Sequence, residues 1–86
     1  MKIKQFENDI RIAHEHGVKY LIVGLLVYGK KEMILIERDN FIDKLEYYKR
    51  TYDDNLVMKA NKDVKIVTYM FSDNVTIDVI DITKAS

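Results

Sequence analysis

Tyr20-Leu21-Ile22-Val23-Gly24-Leu25-Leu26-Val27-Tyr28 is the stretch on which the fold turns. A strand with one solvated face alternates apolar and polar residues. This run is apolar at both parities, too short to cross a bilayer as a helix, and rich in the β-branched and aromatic residues that strands favour. It predicts a strand over 18–28 with both faces excluded from water. Gly24 inside it marks a bulge or a close backbone approach.

The sequence on either side extends the pattern. Met33-Ile34-Leu35-Ile36 is again apolar on both faces, and Gly29-Lys30-Lys31-Glu32 between the two runs reads as a charged hairpin turn. Val64 to Phe71 and Val75 to Ile82 form a second β-rich pair around Ser72-Asp73-Asn74. Simple alternation places Val67, Tyr69 and Phe71 on one side of the third strand, and Val64, Ile66 and Met70 on the other.

Two helices complete the order. Ile3, Phe6, Ile10 and Ala13 recur at spacings of three and four, so residues 2–16 read as an amphipathic helix closed by Gly17. Ile12 falls off that stripe and faces solvent. Asn40 is placed to cap a second helix whose stripe is Phe41, Leu45, Tyr48 and Tyr52. Leu56 continues the stripe, which favours a helix reaching about Ala60. Asp53-Asp54-Asn55 argues instead for a break, with a short strand over 56–60. The expected architecture is one α+β domain over 1–86, in the order α-β-β-α-β-β, with two helices packed on an antiparallel sheet.

Composition narrows the function classes. The chain has 86 residues, no cysteine, and 14 basic against 14 acidic side chains. Disulfides and thiolate metal sites are excluded, and a reducing cytoplasm is the expected location. The N-terminus carries mixed charge and does not read as a signal peptide, and no membrane association is expected. A domain of this size buries only roughly 60% of its unfolded surface, so its core is thin. Heavy use of lysine and isoleucine, 11 of each, suggests an AT-rich genome.

No motif assembles a catalytic centre, so no catalytic residue, metal ligand or cofactor is assigned. His14 and His16 are two apart, which on a helix points them in nearly opposite directions, whereas zinc-protease helices need a spacing of four. Asp78 and Asp81 fall on opposite sides of a strand, and Asp53-Asp54 suits a helix end. The serines Ser72 and Ser86 lie in a turn and at the terminus. The expected function is a non-enzymatic protein-interaction module. Small size and residue usage extend this to a phage or mobile-element modulator, such as an inhibitor of host defence of the anti-CRISPR kind.

Ile12, Lys44, Tyr47 and Arg50 are the candidate partner-binding residues, since exposed Tyr and Arg anchor interfaces. Ile22, Leu26, Ile34 and Tyr69 are candidates for a second buried sheet surface, most simply a homodimer contact. Tyr47-Tyr48-Lys49-Arg50 also admits single-stranded nucleic acid, but acidic neighbours and the balanced charge make this the alternative. A small enzyme with an unrecognised site is the other.

Overall fold

A computed structural model describes residues 2–73. Within them, a helix α1 (Lys2–Glu15) leads into strands β1 (Tyr20–Val27) and β2 (Lys30–Glu37). A 3-10 turn over Arg38–Asn40 opens helix α2 (Phe41–Thr51), and strand β3 (Val64–Ser72) follows. The sheet is antiparallel in the order β2-β1-β3, with the doubly apolar β1 at its centre. The α+β class and antiparallel sheet are as expected. The order α-β-β-α-β-β is not matched, since the described strands are three. The expected strand over 75–82 lies outside the described residues, as do Asp78, Asp81 and Ser86.

α1 ends where the sequence predicts. The Gly17 N–H donates to the His14 carbonyl and the Val18 N–H to the Ala13 carbonyl, satisfying two of the acceptors a helix leaves open. The Arg38 guanidinium donates to the same His14 carbonyl at 3.0 Å, placing a cation at the negative end of the helix. Both helices lie on one side of the sheet. Ile3, Phe6, Ile10 and Ala13 of α1 and Phe41, Leu45 and Tyr48 of α2 pack with Leu21, Val23, Leu25, Ile36, Val64 and Ile66 in a single core.

The hairpin turn is shorter than the sequence suggests. Val27 pairs with Lys30, so Tyr28-Gly29 is the whole turn and Lys30, Lys31 and Glu32 belong to β2. Both turn residues have positive φ, 52° and 80°, as the tightest hairpin turns require. Glycine takes that conformation freely, whereas Tyr28 must be held in it. Its N–H donates to the Asp63 carbonyl, and the Asn61 side-chain amide donates to its hydroxyl at 2.6 Å.

Three further expectations are corrected. α2 stops at Thr51 rather than running on to Ala60, because Asp53 captures the backbone. Its carboxylate accepts from the Asn55 and Val57 N–H groups, and Leu56 turns to φ 65° with its side chain in the core. Val57 and Met58 then run in extended bridges, Tyr52 to Met58 and Val57 to Lys65. Asn40 occupies the cap position of α2 without a side-chain cap hydrogen bond, because the 3-10 turn already leads the chain into the helix. Ser72 is the buried last residue of β3, not part of a turn.

The alternation in β3 changes phase midway. Thr68 pairs with Gly24 but Ile66 pairs with Leu25, leaving Val67 as an extra, 43% exposed residue. Val64, Ile66, Tyr69 and Phe71 consequently share the helix side. Gly24 has no room for a side chain. An added Cβ would lie 2.5 Å from Thr68 Cγ2 and 3.3 Å from Met33 Sδ. Because Thr68 is β-branched and stiff, Gly24→Ala should destabilise the protein by about 1–3 kcal/mol through overpacking, measured as a lower urea midpoint with unchanged slope.

Candidate functional site

The register determines which side chains meet on each side of the sheet. Leu21, Val23 and Leu25 of β1 point to the helices, so Tyr20, Ile22, Gly24 and Leu26 point away. Across β2, Ile22 pairs with Leu35 and Gly24 with Met33; across β3, Ile22 pairs with Met70 and Gly24 with Thr68. The result is an apolar surface of Ile22, Leu26, Met33, Leu35 and Met70, with Lys31 and Lys65 at one end and Glu37 at the other. Among the described residues, no helix or strand covers this face. Leu35 is 47% exposed, and Leu26, Met33 and Met70 are partly exposed, while Ile22 is buried.

The four residues expected to form a second buried surface therefore divide. Ile22 and Leu26 lie on the side of the sheet away from the helices. Ile34 and Tyr69, both paired with Val23, lie on the helix side and pack against the core. The Tyr69 hydroxyl donates to Asp9 at 2.6 Å, and its ring packs on Phe6. Burial, then the bond to Asp9, pushes its pKa up to about 12. Met33, Leu35 and Met70 were missed because the turn and the bulge set their phase.

The other four candidates divide as well. Lys49 on α2 reaches Glu7 of α1 at 3.7 Å, which fixes the flank of α2 that faces α1. Lys44 and Tyr47 stand roughly half a turn away, on the opposite flank, with the Lys44 Nζ 5.3 Å from the Tyr47 ring centre. Arg50 is exposed on the solvent side. Ile12 is distant from them, on α1 where that helix meets β3. There it lines an open depression of about 320 Å3 with Asp9, Ala13, His16, Val18 and Phe71.

The two histidines are not brought together. His14 packs near Phe41, while His16 borders the depression beside Ile12, so the two histidines diverge. Among the described residues, no group of three or more His, Asp and Glu is placed to hold a metal ion, and no helix is long and apolar enough to cross a membrane. The Tyr48 hydroxyl is buried with no hydrogen-bond partner. Burial, with Tyr52 and Tyr47 adding to it, raises its pKa far above the usual tyrosine range. No family model, curated protein or solved structure matches the chain.

Two measurements check this electrostatic picture. Tyr48→Phe removes a buried donor that gains nothing from folding, and should stabilise the protein by about 1 kcal/mol, read from the urea midpoint. At Asp53, the N–H groups of Val57 and Asn55 hold the carboxyl below its ordinary value of 3.8. Its contribution to stability is therefore complete above that value and is lost as pH falls through the lower folded-state value. Asp53→Ala should lower the unfolding midpoint at neutral pH, and its deficit against the wild type should narrow in acid.

Proposed function

We propose that the protein is a non-catalytic protein-interaction module, self-associating, whose uncovered sheet face receives a protein partner. The observation that carries this reading is the placement of both helices on one side of a sheet whose central strand is apolar on both. Full burial of a Leu, Ile or Met side chain contributes roughly 1.5–3 kcal/mol. The half-exposed Leu35 and its partly exposed neighbours leave part of that gain to a covering surface. The polar side chains support the same reading, since Asp53 holds a backbone turn, Asp9 and Tyr69 hold each other, and His14 and His16 diverge. The protein-partner reading is preferred to a nucleic-acid surface on α2 because Lys49 faces Glu7 and Glu46, Lys44 lies over Tyr47, and Asp43 shares the helix with the exposed Arg50. In the narrower role of an inhibitor, a host protein would occupy this face.

Affinity capture from host lysate with matched variants tests the assignment. Met70→Lys, on the uncovered face, should abolish retention of a protein held by the wild type, because it places a charge in the contact. Lys44→Ala with Tyr47→Ala, on the far side of the sheet, should leave retention intact. The reverse pattern would transfer the binding surface to α2.

A further inference from the structure

Tyr28 stands where a two-residue hairpin turn with positive φ at both places ordinarily holds Asn and Gly. A tyrosine at φ 52° bears backbone strain there. Such strain persists only where the surroundings impose it, and it clusters at functional positions. The side chain gains little burial, since Tyr28 is 67% exposed, the most of the large hydrophobic residues described. What the surroundings do is hold the phenol still. The Asn61 side-chain amide donates to the Tyr28 hydroxyl at 2.6 Å, while Asn61 Oδ1 accepts from the Asp63 N–H at 3.1 Å. Asn61 is thus tied at both ends of its amide. A hydroxyl that accepts from it still has its own proton to donate, and accepting one hydrogen bond polarises the O–H for the next.

The charge at this tip is predominantly positive. Lys30 follows the turn, and Lys62 lies between Asn61 and Asp63, the two residues that hold Tyr28. Lys65 is next to Val64, the β3 partner of Val27. All three lysines are exposed, and among the described residues none is within ion-pair distance of a carboxylate. Lys62 acts on Asp53 from a greater distance. We propose that the hairpin tip receives an acidic segment of a protein partner: a carboxylate of the partner accepts the Tyr28 O–H, and Lys30, Lys62 and Lys65 supply the opposing charge. That the partner is a protein rests on the interaction-module reading, while the site itself is distinct from the sheet face. A tyrosine held in place is a good anchor, because little side-chain freedom remains to be lost on binding. Glu32, Asp53 and Asp63 bound the patch. It fits a few carboxylates rather than a phosphate backbone, which needs an extended basic track.

Backbone and side-chain amide NMR spectra of the full chain, titrated with hexaglutamate, test the proposal. Shifts should concentrate at residues 28–30 and 61–65, with the Asn61 side-chain amide among them. They should weaken as salt rises, and hexaglutamine should produce none. Tyr28→Phe keeps the ring but not the donor, and should weaken hexaglutamate binding about fivefold. Lys62→Gln and Lys65→Gln should each weaken it about threefold. Tyr28→Asn separates binding from folding. Asparagine accepts a positive φ more readily, so this variant should have a higher urea midpoint than the wild type and no hexaglutamate binding. A lower midpoint would show that the tyrosine serves the fold, and would overturn the proposal. So would shifts spread over the whole surface, or binding unchanged in Tyr28→Phe. Tighter binding of hexathymidylate than of hexaglutamate would assign the tip to nucleic acid and overturn it too. Met70→Lys should leave the hexaglutamate shifts intact whatever it does to retention of a partner, so the sheet-face reading can fail alone; loss of the shifts in that variant would defeat the tip as a separate site.

Discussion

The two-residue turn at Tyr28-Gly29 sets the register on which the sheet's two surfaces depend. Side chains alternate along a strand, so a slip of one residue would exchange every inward and outward position of β2. With Val27 opposite Lys30, Ile34 and Ile36 reach the helices and Met33 and Leu35 do not. The turn is conformationally costly at Tyr28, and the 61–63 segment offsets that cost through Asn61 and the Asp63 carbonyl. A local contact between a loop and a hairpin tip thus decides the character of a surface roughly 25 Å long, the reach of an eight-residue strand.

The parts of the fold legible in the sequence are those governed by one strong local rule. The three-and-four spacing of Ile3, Phe6, Ile10 and Ala13 with Gly17 beyond gives α1 nearly to the residue. The apolar run of 20–28 identifies a strand with two apolar faces, but its place at the centre of the sheet depends on pairings that no local pattern announces. The misreadings occur where two local rules compete. Gly29-Lys30-Lys31-Glu32 resembles a turn by composition, but the backbone closes in two residues and the charges extend the strand. Leu56 continues a helical stripe by spacing, yet Asp53 offers the backbone better partners than another helical turn. The chain then delivers Leu56 to the same core by a different route. At Val67 the deciding partner is in another strand, and nothing local announces it.

The candidate surface was legible as a property of the sheet but not as a set of residues. Unbroken apolar character implies a second dry face wherever the strands are placed. Assigning its members requires the phase of β2, set by the turn, and the phase of β3, set by the bulge. Ile22 and Leu26 follow from β1 alone and fall on that face. Ile34 and Tyr69 depend on their neighbours' phase and fall on the other. The partner-facing candidates separated for a similar reason: helical spacing identifies an exposed side chain, but not which flank of the helix faces which strand.

The extra residue in β3 bears on how this chain tolerates change in length. On either side of Val67, the residues facing the helices are Val64 and Ile66, then Tyr69 and Phe71. A strand one residue shorter at that point would keep the same inward set in an uninterrupted ladder. Val67 therefore adds little buried surface; it contributes curvature, because a bulge bends its strand and tightens the sheet's twist. Length variation at this site would alter the shape of the sheet while leaving its hydrophobic pattern readable. The surface opposite the helices could be reshaped for a different contact by gaining or losing one residue, without re-evolving the core.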